Sequence, residues 1–302
     1  MLVTDRIRID SAYRQALAAC QLHQVGQVLE RVEGRIVAWS RTTDTLYVES
    51  PGSLVGFCVK RYFYPRLRHR LRGVLRGTLF GWHRAAAEAR LLRAMREAGS
   101  LAVRPVAYGS RRCGGFLAAC FLITEAVPEA RNLTSFALDV EDGRESLSIV
   151  ERRRLLRTLA EQVGELHASG FSHGQLFWRN LLLRRAPAGG FEFFLLDARP
   201  GHGQRRLAGG RWWVEELAQL CVSAEPFTSR TERLRFLLAY AGVPRLTESL
   251  KQDAREAWRM SRRWERHERQ RIRMCRRFDA WSRRLEAERA AGAPAVESSH
   301  AG

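Results

Sequence analysis

The chain has 302 residues, of which 45% are hydrophobic, enough to bury a sizeable core and to exclude a chain that is disordered throughout. No stretch reaches the ~18 uncharged apolar residues that a transmembrane helix needs. The formal net charge is +19, from 51 Lys and Arg against 32 Asp and Glu, and nearly all of the positive charge is arginine.

Arginine forks onto phosphate in pairs of bonds where lysine acts as a point charge, so an anionic partner is expected: nucleic acid, a phospholipid surface or a phosphorylated glycan. The bland alternative is an arginine-rich proteome. The opening MLVTDRIRIDS lacks the apolar stretch of a signal peptide. Six cysteines are scattered with no CxxC pair, which reads as reduced thiols rather than a zinc site.

In chain order, residues 11–30 read as a short helix with Leu17, Cys20, Val25 and Leu29 as its apolar points, inside an N-terminal helical extension over 1–32. The period then changes. GRIVAWS (34–40), TLYVES (45–50) and GFCVKRY (56–62) are short runs of β-branched and aromatic residues, and they predict a three-strand antiparallel meander. HRAAAEARLLRAMREAG (83–99) predicts a helix stopped by Gly99. RPVAYGS and the nearly all-apolar GFLAACFLITEA predict two further strands, the second buried on both faces.

Beyond about residue 132 the pattern is mostly helical. Residues 147–169 carry Leu155, Leu159, Val163 and Leu166 on one stripe. The loop FSHGQLFWRN follows, then a hairpin of LLLRR (181–185) and FEFFLLD (191–197), then helices over 211–224 and 229–242. Residues 251–289 hold 14 Lys or Arg against 7 Asp or Glu and predict one basic helix, with Ile272, Cys275, Phe278 and Leu285 as a stripe that packs on the preceding lobe, or else serves a membrane surface or a partner. Residues 290–302 predict a polar, disordered tail. The expected class is α+β, a protein-kinase-like bilobal fold: a small antiparallel β lobe with one helix over 33–127 and a larger, mainly helical lobe over 128–250.

Phosphoryl transfer needs phosphates held by a cation, Mg²⁺ held by hard oxygen ligands, and an acceptor hydroxyl set in line. Candidates stand in that order: Lys60 on the third strand, Glu88 in the next helix to hold it, His173, Asn180 closing the loop, and Asp197 after the apolar hairpin strand. Each alone has a plainer reading, as an edge lysine, a surface ion pair, a structural histidine, a local cap or a turn former. Their joint order is the signal. Gln175 occupies the place of the expected catalytic Asp. A carboxamide can orient a hydroxyl but cannot take its proton. No GxGxxG precedes the strands.

These residues resemble the Kdo/WaaP lipopolysaccharide kinase family from about residue 34 to 240. VKRYFYPRLRHRLRG is similar to its lysine strand and trailing basic segment, AAAEARLLRAMREAG to its helix around the Glu, FLITEAVPEARNL to its hinge, and RWWVEELAQL to a later helix in which the family usually has Asp where Glu216 stands. The resemblance implies ATP and Mg²⁺ as cofactors. Lys60, Glu88 and the hinge residues Glu125, Ala126 and Val127 would bind the nucleotide. Asn180 and Asp197 would bind metal, and His173 and Gln175 would serve the reaction. It implies a sugar hydroxyl of a lipid-linked glycan or lipopolysaccharide core as acceptor, and work in the cytoplasm on the inner face of a bacterial inner membrane. The acid-free segment 61–84 interleaves Arg66, Arg68, Arg70, Arg72 and Arg76 with apolar and aromatic residues, which suits an anionic membrane surface; a solvated loop with a few anchors is the plainer alternative and single-stranded nucleic acid a third. Turnover and nucleotide binding without turnover both stay open, as a kinase or a pseudokinase. Nucleic acid binding is disfavoured, and the oligomeric state is unspecified.

Overall fold

In the computed structural model, residues 2–40, 42–52, 55–64, 82–187, 189–199, 203–204 and 211–292 are described. The segment Arg66–Arg76 expected at a membrane lies outside them, as do residues 293–302 of the expected tail.

Six antiparallel strands open the molecule: β1 (Val3–Ile9), β2 (Arg35–Trp39), β3 (Thr43–Val48), β4 (Phe57–Phe63), β5 (Pro105–Cys113) and β6 (Phe116–Glu125). Their spatial order is β1-β5-β6-β4-β3-β2, so the predicted meander forms one side of the sheet. The side-chain period of two then decides which residues meet which layer. On β4, Val59 and Arg61 face α1 (Arg14–Ala19) and α2 (Val25–Glu30). Arg61 is buried there, donating to the carbonyls of Val28 at 3.3 Å and Leu29 at 3.2 Å near the end of α2 and paired with Asp44 at 2.8 Å. Lys60 and Tyr62 point to the opposite face, which α3 (Arg84–Glu97) covers. The two faces have separate cores. Leu17, Val28, Val59, Phe121 and Ile123 fill the first. Leu92, Met95 and Leu122 belong to the second, which continues without interruption into the helical lobe through Leu159, Leu166 and Phe193.

The N-terminal segment departs from the expected helical extension over 1–32. Ile7 and Ile9 alternate with exposed Arg6 and Arg8, a strand period, and β1 adds to the sheet beside β5. The single helix expected over 11–30 is broken: Gln21 adopts φ +55°, and Leu22 N–H donates back to Leu17 O at 2.7 Å, which ends α1.

The larger lobe contains α4 (Leu133–Glu141), α5 (Ile149–Ala168), α6 (Trp212–Ala224), α7 (Arg230–Ala241), α8 (Glu248–Ser261) and α9 (Glu265–Gly292). A three-stranded sheet of β10 (Phe191–Leu195), β9 (Leu181–Arg185) and β7 (Arg131–Asn132) lies under the cleft. Capping boxes at Ser148/Glu151 and Ser229/Glu232 start α5 and α7, satisfying backbone donors that would otherwise be orphaned. Gly164 lets these two helices touch: a Cβ there would stand 2.6 Å from Tyr240 O. The basic region expected as one helix over 251–289 is two, because residues 262–264 turn between α8 and α9. Ile272, Cys275, Phe278 and Leu285 form the half-buried stripe of α9, with Cys275 Sγ 3.2 Å from Ser135 Oγ on α4. Helix α9 continues to Gly292, past the point where a tail was expected. All six cysteines are unbridged.

Candidate active site

Lys60 is central on β4, opposite Thr45 of β3 and Leu122 of β6. Its ammonium meets two carboxylates. Glu88 Oε1 from α3 accepts at 3.1 Å, and Asp197 Oδ1, two residues beyond β10, accepts from the other side. Tyr62, two residues along and therefore on the same face, donates its hydroxyl to Glu88 Oε2 at 2.7 Å. The Glu88 side chain is 2% exposed and that of Lys60 13%, while that of Asp197 is 34% exposed and opens toward the cleft. Burial raises the Glu88 carboxyl, and the Lys60 charge offsets this only in part. At Asp197 burial also acts upward, but the Lys60 ammonium overrides it and holds the carboxyl below its ordinary value. Burial disfavours charge on Lys60, yet Asp197 and Glu88 together raise its ammonium above normal, so it stays a cation. Asp197 adopts φ +61°, a left-handed conformation that a short polar side chain tolerates better than a bulky one.

The loop from β8 (Phe171–Ser172) to a 3₁₀ turn at Trp178–Asn180 is held from beneath by α6. Glu216 accepts from Ser172 Oγ at 2.8 Å, from the Gly174 backbone N–H, and from His167 Nε2 at 2.9 Å. Burial would raise its carboxyl, but the His167 hydrogen bond and the Gly174 amide bring it down to about 2. One turn on, Gln219 Oε1 accepts the Leu176 N–H at 2.5 Å. His173 is committed to backbone at both nitrogens. Its Nε2–H donates to Leu196 O at 2.9 Å, and its Nδ1 accepts from Gln175 N–H at 3.3 Å. That pattern belongs to a neutral, positioning imidazole. Asn180 Nδ2 donates to Gln175 O at 2.8 Å, and Leu196 N–H donates to Asn180 O at 3.1 Å. The first bond fixes which end of the amide is nitrogen, so the oxygen of Asn180 is the end left for a ligand.

The structure therefore gathers Glu88 and Asp197 on Lys60, with His173 and Asn180 bonded to Leu196, the residue before Asp197, and Gln175 bonded to both. Gln175 is half-buried. The hinge residues lie at the end of β6, where Glu125 pairs with Phe57, three residues or about 10 Å along β4 from Lys60. Ala126 spends its N–H on Gly56 O at 2.9 Å, Glu125 accepts the Tyr13 hydroxyl at 3.0 Å, and Val127 O accepts from Ala130 N–H at 3.3 Å. Among the described residues no group of three His, Cys, Asp or Glu has a metal-holding arrangement. Asp197 and Asn180 supply hard oxygen donors, and Mg²⁺ commonly takes only one or two protein ligands beside waters and substrate phosphates, so the donor set fits that ion.

Several supporting residues carry no motif. Tyr62 follows from strand alternation once Lys60 is chosen, and Gln219 from the helix turn after Glu216. Glu268 of α9 has no local signal. It is 1% exposed, pairs with Arg179 of the 171–180 loop, and accepts from Ser223 Oγ at 3.0 Å.

The lipopolysaccharide kinase (Kdo/WaaP) family profile matches residues 20–240. A lipopolysaccharide core heptose(I) kinase WaaP from Pseudomonas aeruginosa is 28% identical over 174 residues, covering 56% of this chain and 63% of that protein. The chain thus spans a little under two thirds of that relative. A solved structure described as WaaP in complex with acyl carrier protein superposes with a TM-score of 0.60 at 24% identity, over 86% of this chain and 98% of the other, a likeness of fold.

Proposed function

The chain belongs to the lipopolysaccharide kinase (Kdo/WaaP) family, and from that premise we propose that it is an ATP-dependent phosphotransferase acting on a sugar hydroxyl of a lipid-linked envelope glycan. The carrying observation is the contact of Lys60 with both Glu88 and Asp197 beside Asn180. Lysine pinned between two carboxylates is a preset cation for nucleotide phosphates. The buried Glu88, braced by Tyr62, keeps it from swinging out. Bound Mg²⁺, held by Asp197 and Asn180, would neutralise phosphate charge.

The chain's own residues do the rest. The Glu216 carboxylate and Gln219 anchor the backbone at Gly174 and Leu176, so the loop does not drift when substrate binds. His173 ties that loop to Leu196, the residue before Asp197. The Gln175 amide oxygen accepts a hydrogen bond from the acceptor hydroxyl and aims its oxygen at the phosphorus. The bond from phosphorus to the leaving ADP oxygen breaks as the new bond to the acceptor oxygen forms. Gln175 cannot take the proton, so the proton leaves on an oxygen of the transferred phosphoryl group. A loose transition state tolerates this, because positioning matters more than early deprotonation.

A second reading rests on the same Gln175: a nucleotide-binding pseudokinase in an envelope glycan pathway. A general base contributes typically ~10²–10⁴-fold. The test is ATP consumption by purified protein with Mg²⁺ and lipopolysaccharide core acceptors, for wild type, Gln175→Asp and Asp197→Ala. Slow turnover in wild type, a gain in Gln175→Asp and none in Asp197→Ala support the kinase reading. ATP binding without turnover in wild type supports the pseudokinase. A lipid-linked acceptor would put the work at the inner face of a bacterial inner membrane, and the charge of Arg66, Arg68, Arg70, Arg72 and Arg76 suits an anionic surface there.

A further inference from the structure

At the β1 edge the six-stranded sheet has two unlike faces. On one, Arg111 is closed by Asp5 at 2.9 Å and Glu30 at 2.7 Å. On the other, register sets Arg6 opposite Ser110, Arg8 opposite Tyr108 and Thr4 opposite Arg112, so Arg6, Arg8 and Arg112 share the side that α3 covers. There Arg93 of α3 lies 5.7 Å over the Tyr108 ring, and the His83 ring is 6.0 Å from it. Burial, then the charges of Arg112 and Arg90, hold His83 at about 4, and Arg6 bears in the same way on Arg112. Five guanidinium groups thus border one surface.

Among the described residues no carboxylate forms an ion pair with any of the five. Of the acids on α3, Glu88 faces the site and Glu97 ends the helix. Arg112 Nη1 donates to Gly115 O at 3.0 Å, while its Nη2 is buried with no partner among the described residues, a donor with no acceptor. Leu2, 81% exposed, precedes β1 by one residue and has the parity of Thr4, Arg6 and Arg8, so it stands at the end of the same row.

We propose that this arginine face docks on the anionic phospholipid headgroups of a bilayer. Arginines without a carboxylate partner answer phosphodiester charge, and the exposed Leu2 supplies an apolar side chain for the acyl boundary. Single-stranded nucleic acid would need aromatic platforms, and Tyr108, the aromatic ring of this face, is covered by Arg93 and His83. The inference concerns binding alone and stands apart from phosphoryl transfer. It adds to that reading a surface, on the helix that carries Glu88, that would hold the enzyme where a lipid-linked acceptor lies.

The test is flotation of the full chain with vesicles of phosphatidylcholine, with and without phosphatidylglycerol. Each arginine near an anionic surface contributes about fivefold in partition, so the Arg6→Ser, Arg90→Ser, Arg93→Ser trio loses about 100-fold. A trio of exposed arginines elsewhere, Arg153→Ser, Arg154→Ser, Arg235→Ser, keeps most of the binding. Should the first trio melt early, the exposed pair Arg6→Ser, Arg8→Ser takes its place, with about 25-fold expected. No binding of wild type to the anionic vesicles, equal binding by wild type and the patch variant, or an equal loss in the control trio overturns the proposal. So does a patch variant that loses only single-stranded oligonucleotide binding, which assigns the face to nucleic acid.

Discussion

Replacing Glu216 by Gln and by Ala separates charge from space at the base of the 171–180 loop. Ala removes the acceptor of Ser172 Oγ, the Gly174 N–H and His167 Nε2, all in a site where the carboxylate is 2% exposed. Hydrogen bonds to a charged group contribute about 1.5–3 kcal/mol each and do not add fully, so a loss of about 3–5 kcal/mol is expected, the range for breaking a buried charged cluster. Gln behaves differently. Its amide oxygen keeps Ser172 and Gly174. Its NH₂ meets His167 Nε2, which can accept if the ring proton sits on Nδ1 and donates to the Tyr240 hydroxyl 2.9 Å away. Only the charge assistance goes, about 1–2 kcal/mol. The pH dependence then divides the variants further. A carboxyl lowered from 4.5 to about 2 on folding stabilises above its unfolded value and loses that contribution as pH falls toward about 2. The span corresponds to about 3 kcal/mol. Urea unfolding of wild type, Glu216→Gln and Glu216→Ala at about pH 7 and about pH 3 measures it. Wild type should weaken on acidification, and Glu216→Gln should weaken less. If the two replacements are equally damaging, or Glu216→Gln shows the same acid sensitivity as wild type, the account of the loop anchor is wrong.

Glu88→Ala leaves Lys60 with one carboxylate and Tyr62 without its acceptor; a loss of about 3–5 kcal/mol in unfolding free energy is expected, with weaker ATP binding measured by calorimetry. Glu268→Ala frees Arg179, the neighbour of Asn180, and cuts the tie from α9 to the loop; a destabilisation of similar size and faster hydrogen exchange at Trp178–Asn180 are expected.

The residues of the candidate site that the structure brings together were legible where the proposed chemistry asks for one residue type on one element: a lysine on an interior strand, a glutamate on the next helix, an asparagine closing a loop, an aspartate after an apolar strand. The meander, α3 and α5 were legible from their periods and stops. The N-terminus was not. Ile7 and Ile9 form a strand pattern only four residues deep, and the partner that makes it a strand, β5, lies about 100 residues on. Nor could pattern reveal that Gln21 breaks a helix, since glutamine is ordinarily a good helix former. Glu268 was hidden for another reason. It sits on a strongly basic helix, one turn before Ile272 of the apolar stripe, and only tertiary packing turns its carboxylate onto Arg179.

We propose that the cluster around Lys60 remains a nucleotide site although Gln175 stands where an acid is expected. Calorimetric titration of ATP with Mg²⁺ into wild type and Asp197→Asn tests it without requiring turnover. The account predicts saturable binding in wild type, weakened at least about tenfold by the substitution, as expected for losing an interaction of about 1.4 kcal/mol or more. No binding to wild type, or equal affinity in both proteins, would contradict it.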